Sequence, residues 1–320
     1  MGAGSAAGQA YLPPPGKIFQ GEAGQPVSSY VHAAGKHPAV YQEFLAWGEY
    51  VPPITQNDQL SARSRLMIMI NTRSGSQEMI TPGQIALGRG DQWLISLAGS
   101  VANRGLVTYV RLMAEMDGYW NAYCAYNQDG SPRDAAHSTT QFRRAWKRVA
   151  LIFRGGSVQH IDAVLRRLGM PRLNAGGQRA LPAGKVAMVW VPQVAPGDPD
   201  VPGNQPGNYW PGRQWVDWVG TDFYSFAPNF AGLSTFYLNY PGAPFLFGEY
   251  AVGETGDDPG FIDQLFGWVS SHSRVRMMIY NQGVNPSGPF RLARFPRTSS
   301  ALRRLLGGSE FPAFAPEFQG

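Results

Sequence analysis

The sequence is poor in cysteine, in charge and in long apolar runs, and each shortage excludes something. A single cysteine in 320 residues, Cys124, rules out an intramolecular disulfide framework and any cysteine-rich metal site. Cys124 has no neighbouring base and reads as a buried, unreactive thiol. Five scattered histidines without ligand spacing leave no candidate for a catalytic metal, and no cofactor is expected. No run of about 20 apolar residues exists, so no segment is expected to span a membrane. Charged residues make up only 15% of the chain, with a net charge of +5. The basic pairs Arg143-Arg144, Arg166-Arg167 and Arg303-Arg304 fall on helix-like stretches or tails. They read as solvated surface, not as the continuous patch that nucleic acid needs. Gly21-Glu22-Ala23-Gly24 and Gly88-Arg89-Gly90 are too sparse to begin a nucleotide-binding fingerprint.

What is abundant points to a large, loop-rich domain. Hydrophobic residues reach 43%, enough for a substantial core, while 39 glycines and 26 prolines suggest many long loops. Nine tryptophans and fourteen tyrosines exceed the needs of packing and suit a cleft that stacks on sugar faces. Short runs rich in β-branched and aromatic residues predict strands near 17–21, 39–46, 65–71, 107–114, 185–191, 216–222, 244–249 and 275–281. Amphipathic stretches between them predict helices over 90–104, 139–154 and 259–272, with Asp91 and Asp258 as expected N-caps. Near-continuous apolar strands joined by helical crossovers imply a parallel sheet buried on both faces. The expected class is therefore α/β, and eight strands suit a closed (β/α)8 TIM barrel, with a doubly wound open sheet as the alternative. The expected division is a flexible leader over 1–16, a single catalytic barrel over 17–310 and a tail over 311–320. No signal peptide is recognisable in the opening residues.

Two carboxylates close strand-like runs: Glu115 after Val107–Ala114, and Glu249 after Pro244–Gly248. The C-terminal ends of barrel strands carry the chemistry of such folds. Two carboxyl groups are also the minimum equipment for cleaving a glycosidic bond. Strand alternation places Tyr109, Arg111, Met113 and Glu115 on one face of the fourth strand. It does the same for Phe245, Phe247 and Glu249 on the seventh, and for Trp218, Gly220, Asp222 and Tyr224 on the sixth. The loop from Ala195 to Gly212, rich in proline and glycine, is read as structural or as a rim of the same cleft.

These residues carry a resemblance. Arg111-Leu112-Met113-Ala114-Glu115-Met116-Asp117-Gly118-Tyr119-Trp120 is similar to the acid/base motif of glycoside hydrolases of family 26, which include the β-mannanases. Tyr209-Trp210-Pro211-Gly212, then Val216-Asp217-Trp218-Val219-Gly220-Thr221-Asp222-Phe223-Tyr224, resembles a second family signature. Phe247-Gly248-Glu249-Tyr250 stands where the family has its nucleophile. The resemblance implies that Glu115 is the acid/base and Glu249 the nucleophile of a retaining, endo-acting hydrolase. It also implies sugar-facing or tuning roles for Arg111, Trp120 and Tyr224, and Asp222, Trp190 and Tyr280 complete the expected substrate-binding set. Three departures stand out: Ala114 replaces the family's histidine, Asp117 replaces its asparagine, and Ile279-Tyr280-Asn281 stands for Trp-Phe-Asn. Asp117 would place a charge near Glu115 unless it faces a loop amide. The implied substrate is a β-linked polysaccharide or oligosaccharide, β-1,4-mannan first, met outside the cell by a monomer. Alternatives are a mixed-linkage β-glucanase or β-xylanase of the same fold, or a catalytically weak carbohydrate-binding barrel.

Overall fold

The computed structural model describes residues 9–24, 26–283 and 288–318. Eight parallel strands close into a barrel: β1 (Phe19–Ala23), β2 (Val40–Leu45), β3 (Arg65–Ile70), β4 (Thr108–Leu112), β5 (Val186–Trp190), β6 (Trp218–Tyr224), β7 (Phe245–Ala251) and β8 (Val275–Asn281). Each strand neighbours the next in sequence, and β8 pairs in parallel with β1 to complete the ring. Every expected strand forms, and closure excludes the open sheet. The reason lies in the strands themselves. All residues of β1, β3, β4, β5 and β7 are buried, as a sheet covered on both faces requires. None of the described helices is long and apolar enough to cross a membrane.

The expected helices form as Asp91–Asn103, Thr139–Arg154 and Pro259–Ser270. Thr139–Arg154 buries Phe142, Trp146, Val149 and Phe153 along one stripe, and the Ser138 side chain caps it by accepting from the Gln141 amide. Asp258 caps Pro259–Ser270 in the same way through the Phe261 amide. Asp91 does not cap its helix. Gly90 holds that position, and the Asp91 carboxylate is taken by the Arg148 guanidinium through two bonds of 2.6 Å. Arg148 also donates to the carbonyl oxygens of Pro171 and Arg172, and the Asn174 amide donates to Asp91. The pair is fully desolvated, so losing either partner would strand a buried charge.

The chain divides into two compact units, one built mainly from residues 45–50 and 69–217, the other from 11–44, 51–68 and 218–320. In the second, described residues of the expected leader and tail make long-range bonds. Residues 1–8 lie outside the described residues, but the carbonyls of Pro13 and Pro14 accept from Arg276, and that of Tyr11 accepts from Arg65. Arg65 also pairs with Glu317 at 3.1 Å, while Phe311 and Ala315 are buried. Guanidinium donors thus hold backbone carbonyls near one end and the Glu317 carboxylate near the other, which a reading of composition does not reveal.

Candidate active site

In the first unit, Glu115 stands just beyond the C-terminal end of β4. Strand geometry stops at Leu112. Met113 (φ +45°) and Glu115 (φ +50°) then occupy the left-handed region that side chains with a Cβ avoid. The expected alternation through Tyr109, Arg111, Met113 and Glu115 therefore ends before the glutamate. Such residues each store about 1–3 kcal/mol and persist only where their surroundings over-determine them. Here the surroundings do. The Met113 amide donates to Ile70 O and the Glu115 amide to Val191 O. Tyr123 Oη donates to Ala114 O at 2.6 Å, and Asn121 Nδ2 donates to Glu115 O at 2.9 Å.

The Glu115 carboxylate accepts a hydrogen bond from Trp120 Nε1 at 3.0 Å. That indole is 39% exposed and lies against Gly118, where any Cβ would come within 2.4 Å of the ring. Glycine is thus required for Trp120 to reach the carboxylate. Arg133 gathers the carbonyl oxygens of Tyr119, Asn121 and Ala122, and Arg73 donates to Trp120 O, so the turn carrying the indole is pinned from below.

Asp117 is completely buried. Its Oδ1 accepts from the Gln193 amide at 2.9 Å, and its Oδ2 has no hydrogen-bond partner among the described residues. Burial pushes its pKa up to about 8, with the Gln193 bond opposing and the charge of Glu115 adding to the rise. The carboxyl is therefore neutral near pH 7. It faces a loop amide and accepts there as an asparagine would, placing no charge beside Glu115. The proline-rich loop backs the same region: the Asp198 amide and Asn204 Nδ2 both donate to Asp117 O, and the Tyr119 amide donates to Asp198 O.

In the second unit, Glu249 lies on β7, opposite Asp222 of β6. The pairing shifts between Thr221 and Asp222, because Gly248 is an extra residue in β7. That bulge corrects the expected face. Phe245 and Phe247 pack on Trp268 of the helix layer, whereas Glu249 turns the other way. Its Oε2 accepts from Tyr224 Oη at 2.5 Å and Asn281 Nδ2 at 2.7 Å, and its Oε1 accepts from Gln42 Nε2 at 3.5 Å. Asn281 also donates to Tyr224 Oη, so the three side chains form one closed network.

The remaining expected residues fall differently. Phe223 packs on Phe230 and Phe261, which leaves its neighbours Asp222 and Tyr224 on the opposite face of β6, as alternation implies. Arg111 is fully buried, in register with Val189. Trp190 and Tyr280 are also fully buried. Trp190 meets the edge of Trp210, and Tyr280 that of Tyr250, so neither presents a free ring face to solvent. On β8 it is Asn281, one residue on, that reaches Glu249. Sequence reasoning did not single out Asn281 or Gln42 as site residues; neutral amides carry no signal of their own until a fold brings them to a carboxylate. Glu22 on β1 is fully buried, accepts from Gln282 Nε2 at 2.7 Å, and is pushed by burial up to about 8. Among the described residues, no group of three or more histidine, cysteine or acidic side chains is placed to hold a metal ion.

The fold is a closed (β/α)8 barrel, and solved structures share it. It is similar to a Bacillus subtilis mannanase (TM-score 0.61, 14% identity, 98% of this chain and 91% of that one). It is similar also to a family 26 β-mannanase from Bacteroides ovatus (TM-score 0.60, 14% identity, 96% and 95%). An endo-β-1,4-mannanase variant from Cellulomonas fimi matches with TM-score 0.60 and 13% identity over 95% of this chain and 73% of that one. At these identities the likeness establishes the fold. No family model and no curated protein sequence matches the chain.

Proposed function

We propose that the protein is a retaining glycoside hydrolase that cuts within a β-linked polysaccharide, with Glu115 as acid/base and Glu249 as nucleophile. The observation that carries this reading is the unlike treatment of two strand-end carboxylates. Glu249 accepts hydrogen bonds from Tyr224, Asn281 and Gln42, which orient its carboxylate for attack. Glu115 sits on a strained turn beside the partly exposed Trp120 indole, which donates to it. In the first step, protonated Glu115 gives its proton to the leaving glycosidic oxygen while Glu249 attacks the anomeric carbon, forming a covalent ester. In the second, Glu115 takes a proton from water, which displaces Glu249 and restores both groups.

β-1,4-Mannan is the favoured substrate, because the solved structures of like fold are named as mannanases. A polymeric substrate of this kind places the enzyme outside the cell. Release of reducing ends from β-mannan, mixed-linkage β-glucan and β-xylan tests the reading. Wild type releases product from at least one of them, and Glu249→Ala releases none. Equal and negligible product from both proteins on all three would refute hydrolysis.

A further inference from the structure

The aromatic side chain that follows Tyr224 has no place in the chemistry above. Phe226 is 45% exposed, and it stacks on the Tyr224 ring with centroids 5.2 Å apart and planes 17° from parallel. The half-buried ring of Phe290 leans on both, 5.2 Å from Tyr224 and 6.4 Å from Phe226. Gly253 leaves room for it, since a Cβ there would lie 2.7 Å from the Phe290 edge.

The turn that presents Phe226 is fixed on both sides. The Ser225 amide donates to Ala251 O, Ser225 Oγ bonds Thr255 Oγ1 at 2.5 Å, and the Ala227 amide donates to Tyr224 O. An apolar ring held outward by a rigid turn has a different cause from one left exposed by chance. Tyr224 is shared: its hydroxyl serves Glu249 while its ring carries Phe226. The ring cluster is thus continuous with the nucleophile.

We propose that Phe226, backed by Tyr224 and Phe290, is a stacking platform for a pyranose ring of the β-linked glycan, one position removed from the sugar attacked by Glu249. The proposal rests on the hydrolase reading for the identity of the ligand. An apolar ring face covers the C–H face of a pyranose and leaves the hydroxyls at its rim solvated, which suits a ligand with one apolar face and polar edges. Two of the exposed large apolar side chains attach to a candidate carboxylate, Trp120 by donating to Glu115 and Phe226 by stacking on Tyr224, which donates to Glu249.

Calorimetric titration tests it, with mannohexaose, cellohexaose and xylohexaose as probes and Glu115→Gln as the parent chain to prevent turnover. The parent binds at least one hexasaccharide. Adding Phe226→Ala, or Phe226→Ser as a second truncation, weakens that binding about tenfold, while Phe226→Tyr and Phe226→Trp hold it within about threefold. Equal affinity in the parent and both truncations would overturn the platform, as would no binding of any probe to the parent. Reducing-end release by wild type is measured alongside. Binding that depends on Phe226 without any release would sink the hydrolase reading and leave the platform standing.

Discussion

Asp117→Asn isolates the contribution of one buried acid. The native carboxyl is held neutral, with a folded pKa of about 8 against an ordinary value of 3.8. Between those values the unfolded chain is ionised and the folded chain is not. Stability from this group is therefore fully present below pH 3.8, falls as pH rises, and is lost by about pH 8. The slope for one such group is about 1.4 kcal/mol per pH unit. Raising the pH from 5 to 7 thus costs wild type about 2.8 kcal/mol at this position that the asparagine variant does not lose. For a chain of 320 residues the unfolding entropy is roughly 0.7 kcal/mol/K, so the same difference appears as about 4 °C in Tm. Asparagine keeps the acceptor for Gln193 but leaves an amide nitrogen where Oδ2 has no partner. Its absolute stability is therefore a poor readout, and the change between the two pH values is the proper one. Urea unfolding of both proteins at pH 5 and pH 7 measures it, and slopes shared with Glu22 cancel in the comparison. Parallel pH dependence in the two proteins would refute a neutral buried Asp117.

Further expectations follow from the same geometry. Tyr224→Phe removes one donor to a charged acceptor and lowers kcat roughly 10- to 100-fold on the substrate that wild type cleaves, with unchanged folding by circular dichroism. Arg133→Ala frees the three carbonyls that hold the Trp120 turn and raises KM about tenfold, partly restored by Arg133→Lys, as steady-state kinetics will show. Asp91→Ala leaves Arg148 buried without its partner and costs about 3–5 kcal/mol in denaturant unfolding.

The barrel was legible because its strands are short runs rich in apolar residues, a pattern set by burial on both faces. The two glutamates were legible as carboxylates that close such runs. What periodicity could not carry were its interruptions. Met113 and Glu115 leave the extended region, and the bulge at Gly248 turns Glu249 away from the face of Phe247; neither event alters the residue types that alternation reads. Tyr280 belongs to the expected substrate-binding set, yet its ring packs on Tyr250 and it is the Asn281 amide that reaches the carboxylate. Asp91 looked like a cap because it opens a helix, but its partner Arg148 lies 57 residues away. Long-range partners of this kind appear only when the chain is folded.

The pairing of Glu115 with Glu249 is tested most directly by trapping the intermediate. Wild type is incubated with the dinitrophenyl 2-deoxy-2-fluoro-β-glycosides of mannose and glucose, and the digested protein is mapped by mass spectrometry. The mechanism predicts one added fluoroglycosyl group, on the peptide containing Glu249, and its disappearance when a sugar acceptor is supplied. An adduct on another residue, or no adduct from either reagent while polysaccharide is being cleaved, would contradict it.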